Sequence, residues 1–221
     1  MLQKSASKKI VPITVCVKYS DYLFTSLAVN RGFFEDYVVV TVPDDVDTHA
    51  VCNKYDCHML LSDSLQRNGA VFNKSALINL GQNYVHARYP DAWILILDSD
   101  ILLPDNFKTV VEEQLDDRSA LYSMPRFDFF PDEHNVIHLD QLRVIEHGKR
   151  YRIDFMGFFQ LYFDKAKYYP ADSHSCRDCD AVFASSFHRF RMMTIFSYLC
   201  HIGQSNQNHF GRCTGLLKIA P

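Results

Sequence analysis

The sequence predicts an α/β fold in which a mostly parallel central sheet is flanked by helices. Short β-branched or apolar runs alternate with segments of helical periodicity between residues 13 and 97. One run, residues 93–97 (WILIL), is apolar at every position, which is typical of a strand buried on both faces of a parallel sheet. The chain has 221 residues and is 48% hydrophobic, enough to bury one sizeable core.

The first elements follow a strand, helix, strand order. Residues 13–17 (ITVCV) form a predicted strand, and residues 22–29 have apolar side chains at helical spacing before the Arg31-Gly32 stop. Residues 37–42 (YVVVTV) are β-branched and end at a Pro-Asp-Asp turn, so a second strand is expected there. This order predicts right-handed crossovers and a ligand site beyond the carboxyl ends of the strands.

The alternation of strands and helices continues to residue 97 and is not seen after it. Residues 57–61 are a predicted third strand, residues 70–87 an amphipathic helix, and residues 93–97 the buried strand. The remainder is aromatic-rich and less regular, with strand-like pieces at residues 120–124 and 157–163. We expect a single domain, 1–221, whose first half, to about residue 104, is more regular than its second.

Charge and composition exclude two classes of protein. Lys and Arg total 23 against 26 Asp and Glu, so no positive field is available to hold nucleic acid. The longest apolar run is far shorter than the roughly 18–20 residues of a membrane span. Seven cysteines, an odd number in a chain of this size, favour reduced thiols. With no signal peptide apparent, a soluble cytoplasmic protein is expected.

An acidic pair, Asp98 and Asp100, follows the buried strand directly. If the chain turns there, both carboxylates point into a pocket at the strand's exit and offer the hard oxygen ligands that Mg²⁺ or Mn²⁺ prefers. A cation at this position would bridge a diphosphate. The alternative is an acidic surface turn, since an isolated Asp-x-Asp is common.

Four motifs in order resemble the GT-A-fold glycosyltransferases, in particular their family-2-like members. The first is the Asp-Ser-Asp at residues 98–100, which in that family holds the metal of a nucleotide-diphosphate sugar. Residues 72–81 (FNKSALINLG) are similar to the helix that precedes this motif. Residues 176–183 (CRDCDAVF) are similar to the Glu-Asp-x-Asp stretch of inverting members, and residues 200–203 (CHIG), with 208–212 after them, to the C-terminal His segment.

The resemblance implies a role for each motif. Asp100 is the more direct ligand of Mn²⁺ or Mg²⁺, with Asp98 nearer the ribose or the metal's water shell and His201 completing the coordination. Asp178 matches the position of the base that takes the acceptor proton, and Asp180 is the second candidate. Both acids are equally suited to cap a helix predicted from residue 181 to about residue 190, and His201 to be a satisfied core histidine.

The donor side of the expected site is drawn from several strand ends. The resemblance implies a nucleotide-diphosphate sugar, with a UDP-sugar favoured, as the donor of a nucleotide-sugar-binding half at about 1–104. It implies a glycan or other hydroxyl group as the acceptor of an acceptor and catalytic half at about 105–221. The expected donor contacts are Val17, Tyr19, Asp44, Lys74, Asp98, Ser99 and Arg126. For Arg126 a structural ion pair is an equal alternative, and for Asp44 and Lys74 ordinary turn and surface roles are.

Three other classes of protein compete with this interpretation. A haloacid-dehalogenase-like phosphatase also has an Asp-x-Asp after an apolar strand, but close to its N-terminus and followed by Gly-Thr. A nucleotidyltransferase has a related core but needs a Gly-rich phosphate loop, which is missing near this N-terminus. A non-catalytic zinc- or sugar-binding domain is the third, because Cys176, Cys179, Cys200, His201 and Cys213 offer ligands with imperfect spacing.

Overall fold

The structure is a computed structural model that describes residues 8–129, 136–138, 150–152, 155, 157–175, 179–193, 198–203 and 215–220. The helices in chain order are α1 Ser20–Asn30, α2 Val46–Lys54, α3 Lys74–Arg88, α4 Phe107–Gln114 and α5 Cys179–Ser185. The strands are β1 Ile10–Val15, β2 Val38–Thr41, β3 His58–Leu61, β4 Trp93–Leu97, β5 Ile101–Leu102, β6 Leu121–Ser123, β7 Arg126–Asp128, β8 Val136–His138, β9 Arg150–Arg152, β10 Phe159–Tyr162, β11 Phe190–Met192, β12 Leu199–His201 and β13 Lys218–Ala220.

The main sheet has seven strands in the order β11-β6-β10-β4-β1-β2-β3. Strands β1 to β4 are mutually parallel, while β10 runs antiparallel to both β4 and β6. The predicted α/β fold with a mostly parallel sheet is therefore confirmed. Because β1 lies between β2 and β4, the strand order reverses beside β1, and a crevice opens there beyond the carboxyl ends of β1 and β4.

Strand β4 is buried on both faces, as its sequence predicts. Trp93, Leu95 and Leu97 pack into the core on one side of the sheet, and Ile94 and Ile96 into the core on the other. None of the five is more than 4% exposed. The strand is thus fixed over its whole length, and the residues that follow it leave the sheet at a defined point.

Helix α3 packs closely on the sheet because Gly81 faces β1 and β2. A Cβ at Gly81 would lie 2.6 Å from Ile13 Cγ2 and 3.3 Å from Val40 Cγ2. The Asn73 side chain caps the helix by accepting the Ala76 N–H at 3.1 Å. A helix between parallel strands runs against them, so the first residue of α3, Lys74, is delivered to the carboxyl edge of the sheet.

A second sheet, of order β5-β12-β7-β9, stands beyond the carboxyl end of β4. In its register His201 is paired with Ile101 of β5 on one side and with Asp128 of β7 on the other. A separate two-stranded sheet joins β13 to β8 in parallel. The second sheet therefore brings together four chain segments that are separated in sequence.

Several predicted boundaries differ from the structure. Strand β1 begins at Ile10 and includes Pro12, which is paired with β4 but precedes the first β2 partner of the strand. The missing N–H of a proline is tolerated where a strand has a partner on one side only. The helix predicted from residue 181 to about 190 ends at Ser185, because the hydroxyls of Ser185 and Ser186 each donate 2.7 Å bonds to carbonyls of the last turn.

The predicted helix at 70–87 also starts later than expected. Residues 64–69 form 3₁₀ turns that are interrupted by a kink at residues 66–68, and Gly69 follows with a φ of +76°, in the left-handed region. Asn73 then caps α3 as described above. In the part of the chain that the structure describes, no helix is long and apolar enough to cross a membrane.

The amino edge of the main sheet is tied together by Asp36. Its carboxylate accepts from Lys9 Nζ at 2.6 Å, Tyr89 OH at 2.7 Å and His58 Nε2 at 3.0 Å. Lys9 directly precedes β1, Tyr89 directly follows α3, and His58 is the first residue of β3. Burial acts to raise the pKa of Asp36, but the three donors outweigh it and lower the pKa well below its usual range.

We predict that Asp36→Asn destabilises the protein at pH 7 by about 1–2 kcal/mol, because it replaces an ionised acceptor shared by three donors. A depressed carboxylate pKa stabilises above the unfolded value of about 4, and this contribution is lost as the pH falls below it. The difference between the two proteins in urea-unfolding free energy should therefore narrow between pH 7 and pH 3. The exposed Asp91→Asn on the same edge is the control, and a gap that is unchanged with pH would contradict the assignment.

Candidate functional site

The acidic pair leaves β4 as a fixed turn. The Asp98 N–H donates to Phe158 O at 3.2 Å, and the Ile101 N–H donates back to Asp98 O at 3.3 Å. Beyond the turn, the buried amide of Asn30 holds the next segment, donating to Ile101 O at 2.7 Å and accepting the Leu103 N–H at 2.9 Å. Asn30 is the last residue of α1, so the end of a helix fixes the backbone after Asp100. The bond from Asp98 to Phe158 fixes the backbone before it.

Lys74 lies between two carboxylates from opposite halves of the chain. Its Nζ is 3.0 Å from Asp98 Oδ1 and 3.5 Å from Asp180 Oδ2. The lysine is only 9% exposed, and a buried ammonium requires such compensation. Lys74, which was expected to contact the donor, thus joins the Asp-x-Asp turn to the start of α5.

Asp180 is enclosed rather than open to solvent. Tyr169 OH donates to its Oδ1 at 3.1 Å, and Gln160 Nε2 donates to its backbone carbonyl at 3.2 Å. A Cβ at Gly157 would lie about 2 Å from the carboxylate, so only glycine leaves room for it there. The residue is 8% exposed. These contacts hold the first turn of α5 against the carboxyl edge of the sheet.

Asp100, His201 and Asp128 form a continuous chain of contacts. His201 Nε2 is 3.2 Å from Asp100 Oδ2, and Nδ1 on the other side of the ring is 2.9 Å from Asp128 Oδ1. The Ile202 N–H donates to Asp100 O at 2.9 Å, which fixes the two segments against each other. A Cβ at Gly203 would lie 2.0 Å from Asp100 Oδ2 and 3.0 Å from His201 Nε2. Glycine at 203 therefore keeps the space beside these two atoms open.

Arg126 is buried next to this chain. Its Nε lies 3.0 Å from Asp128 Oδ1 as an ion pair, but without the direction of a hydrogen bond. Its guanidinium carbon is 4.2 Å from the centre of the Phe158 ring, which adds a cation–π contact. Arg126 was expected either to contact the donor or to form a structural ion pair. In the structure it forms an ion pair, with Asp128.

The charges around His201 determine its protonation. Burial acts to lower its pKa, but the carboxylates of Asp100 and Asp128 outweigh it and raise the pKa to about 9. Burial acts to raise the pKa of Asp100, and the His201 ring outweighs it, so that the pKa of Asp100 is lowered. For Asp98, burial together with Asp100 and Asp180 raises the pKa against the opposing Lys74. The positive charge of His201 is therefore shared by Asp100 and Asp128, and Arg126 places a second positive charge beside Asp128.

The pair Asp100 and His201 fits a divalent cation. Two ligands at right angles on one six-coordinate ion, each about 2.1–2.2 Å away, are about 3 Å apart. The 3.2 Å between Asp100 Oδ2 and His201 Nε2 matches this spacing, and Gly203 leaves the adjoining space unfilled. Among the described residues no three His, Cys, Asp or Glu side chains converge as a metal cluster. A cation held by these two side chains would need further ligands to complete its coordination.

The other expected donor contacts lie around the carboxyl ends of β1 and β2. Val17 is buried and Tyr19 half-buried, while Asp44 is exposed. Its neighbour Asp45 is instead buried, where it caps α2 through the Thr48 N–H at 3.2 Å and accepts the N–H of Lys18. Lys18 has a φ of +62°, a left-handed conformation that is uncommon outside glycine. Ser99 is half-buried in the turn between Asp98 and Asp100.

Some predicted residues cannot be placed. Asp178, the first candidate for the base, lies outside the described residues, as do Cys176 and Cys213 of the alternative zinc site. Of the remaining thiols of that site, Cys179 is 3% exposed and packs in the core with Phe183. The residues that bind others in the site and were not predicted include Asn30, Asp45, Asp128, Gln160 and Tyr169. Only Asp45 carried a signal in the sequence, as an acid one position before a helix.

No protein-family model and no curated protein sequence matches the chain. Among solved structures it is similar to HddC from Yersinia pseudotuberculosis, with a TM-score of 0.52 and 10% identity over 88% of this chain and 94% of that one. A Bacillus anthracis protein provisionally named a glucose-1-phosphate thymidylyltransferase, in complex with sucrose, gives a TM-score of 0.51 and 10% identity over 86% of this chain and 88% of that one.

Glucosyl-3-phosphoglycerate synthase from Mycobacterium tuberculosis, in complex with Mn²⁺, UDP-glucose and phosphoglyceric acid, gives a TM-score of 0.48 and 10% identity. That match covers 90% of this chain and 73% of the synthase. At such low identity the likenesses establish the fold alone. The chain has a GT-A/nucleotidyltransferase-like α/β fold, similar to the folds of HddC and the Bacillus anthracis protein.

We predict that Gly203→Ala reduces Mn²⁺ affinity about tenfold or more, because the added methyl group displaces Asp100 Oδ2 and His201 Nε2. Isothermal titration with MnCl₂ measures the effect. The matched control is Gly32→Ala, where a Cβ meets no atom within 4 Å. Equal Mn²⁺ affinities of the two variants would contradict the assignment of this space to a cation.

Proposed function

We propose that the protein is a metal-dependent glycosyltransferase that moves a sugar from a nucleotide-diphosphate donor to an acceptor hydroxyl with inversion. The observation that carries the proposal is the spacing of Asp100 and His201 at the carboxyl edge of the sheet, with Gly203 leaving room beside them. Ligands of open α/β sheets bind at this edge, where the strand order reverses. The order of the sequence motifs supports the same class, and a UDP-sugar is the donor we favour.

In this proposal residues of the first half hold the donor. Val17 and Tyr19 lie near the base, Asp44 reaches the ribose from its exposed position, and Ser99 faces the donor from the turn. Mn²⁺ or Mg²⁺, held by Asp100 and His201, supplies positive charge that stabilises the departing diphosphate. Asp98 and Lys74 neutralise each other at the rim of this site.

Residues of the second half serve the acceptor. An inverting transfer requires a base that takes the hydroxyl proton as the oxygen attacks opposite the diphosphate. We assign this role to Asp178 rather than Asp180, since Asp180 is 8% exposed and already bonded to Lys74 and Tyr169. Asp180 is then a positioning residue that fixes the start of α5.

A nucleotidyltransferase is the second candidate, because the same fold serves that activity. Such enzymes bind a nucleoside triphosphate, and glycine-rich loops are the usual device for holding its phosphates. Here β1 is joined to α1 by residues 16–19 (CVKY), which include no glycine. This loop favours the glycosyltransferase.

Screening nucleotide sugars for stabilisation in the presence of Mn²⁺ tests the proposal. A donor at about 100 times its Kd raises the free energy of unfolding by about 2.7 kcal/mol, or roughly 5–10 °C in Tm. We expect such a shift with one nucleotide-diphosphate sugar, and a smaller one after chelation of the metal. Stabilisation by a nucleoside triphosphate with a sugar phosphate would favour the second candidate. No shift with any donor would refute the glycosyltransferase.

We predict that Asp178→Asn lowers kcat about 10²- to 10⁴-fold while the donor still produces its full thermal shift, because the amide cannot accept the proton. The rate is measured by release of nucleoside diphosphate with the acceptor found in the same screen. Asp180→Asn is the comparison and should lower thermal stability as well as rate, since it leaves Lys74 with one partner fewer. An active Asp178→Asn enzyme would remove this residue from the mechanism.

A further inference from the structure

Asp128 is a fully buried carboxylate that the proposed reaction does not yet use. It is 0% exposed and lies at the end of β7, directly beside the last residue of β12. Its Oδ1 is 2.9 Å from His201 Nδ1 and 3.0 Å from Arg126 Nε. Burying a carboxylate costs several kcal/mol in free energy unless it is compensated. His201 and Arg126 provide this compensation for Asp128.

The position of Asp128 relative to His201 is set by a strand ladder. Strands β7 and β12 are parallel with His201 opposite Asp128, and the Phe129 N–H donates to His201 O at 2.7 Å. Paired residues of neighbouring strands present their side chains on the same face of the sheet. The contact between carboxylate and ring is therefore a property of the second sheet rather than of a loop.

The geometry excludes Asp128 as a ligand of the same cation as Asp100. Its carboxylate contacts Nδ1, whereas Asp100 contacts Nε2 on the opposite side of the ring. An imidazole whose Nδ1–H is donated to a carboxylate is fixed in orientation and tautomer, and its other nitrogen becomes a better metal ligand. Asp128 thus contacts the ring of His201 on the side away from Asp100 and the cation site.

We propose that Asp128 is a positioning residue that holds the Nδ1–H of His201, so that Nε2 is presented beside Asp100 to a divalent cation. Arg126 compensates the carboxylate from the other side and is itself held over the Phe158 ring. The inference rests on the metal site of the proposed function. It adds a residue that acts on His201 and not on the nucleotide sugar.

Two variants separate positioning from charge, with Mn²⁺ affinity measured by isothermal titration without nucleotide. Asp128→Asn removes the charge at nearly constant shape, while Asp128→Glu keeps the charge but displaces the carboxylate by one methylene group. We expect both to weaken Mn²⁺ binding about 10- to 100-fold. A purely electrostatic role requires Asp128→Glu to bind as tightly as the wild type, and that result, or unchanged affinity in both variants, overturns the inference.

Coupling to His201 provides the second measurement. In a His201→Ala background, Asp128→Asn should change Mn²⁺ affinity no further, since the residue through which it acts is gone. An equal loss in both backgrounds overturns the inference. Asp117→Asn is the matched control, because Asp117 is also paired with an arginine, Arg189 at 3.0 Å, at a distance from the site along the main sheet. Its Mn²⁺ affinity should equal that of the wild type.

Folding of the variants is followed separately by urea unfolding without metal. If Asp128→Asn does not fold, Asp128→Glu decides, since it retains the partner of Arg126. Failure of the proposed function has a different signature. If Mn²⁺ binds and responds to Asp128 but no nucleotide sugar is transferred, the function is wrong and the positioning role stands. If the wild type binds no Mn²⁺, the metal site and the positioning role are both wrong.

Discussion

The site depends on one buried ammonium group, that of Lys74, which lies between Asp98 and Asp180. Without it, two carboxylates from opposite halves of the chain would face each other in a partly buried space, and their repulsion would push the Asp-x-Asp turn and the start of α5 apart. Because a buried charge is stable only with its partners in place, the position of each partner constrains the others. The Asp-x-Asp turn and the start of α5 are thus held in position by the same cation, which also explains why the lysine is 9% exposed rather than extended into solvent.

The two edges of the main sheet are constructed differently. At the amino edge, Asp36 joins the approaches to β1 and β3 and the end of α3, with its partners satisfied by one another. At the carboxyl edge, counting only the described residues, four carboxylates face three cationic groups, and His201 is shared between Asp100 and Asp128. The first arrangement is complete as it stands. In the proposed function a metal ion would add positive charge at the second edge, so that a protein of net charge -3 would hold a diphosphate there.

The sequence predicted the parts of this fold that rest on local patterns. Strand β4, the β1 to β3 rhythm and the acidic turn were predictable because apolar runs and their termini are visible over five or six residues. Strands β5, β7 and β12 were not, because they have two or three residues each and no periodicity. Helix α2 has few apolar residues and was missed for the same reason. The role of Asp128 could not be predicted, since the contact that defines it joins positions 73 residues apart.

The two hydrogen bonds of the Asn30 side chain, to Ile101 and Leu103, determine where related sequences can differ in length. Its amide contacts Ile101 and Leu103 as a neighbouring strand would, so the backbone is anchored on both sides of Leu102 by a single side chain. Segments beyond the anchor, beginning at Pro104, can lengthen or shorten without shifting Asp100, since a change in loop length is not transmitted past a fixed pair of backbone bonds. An insertion before Ile101 would displace Asp100, because only the three residues of the acidic turn lie between β4 and Ile101. Variation in this region should therefore accumulate on the α4 side of Leu103.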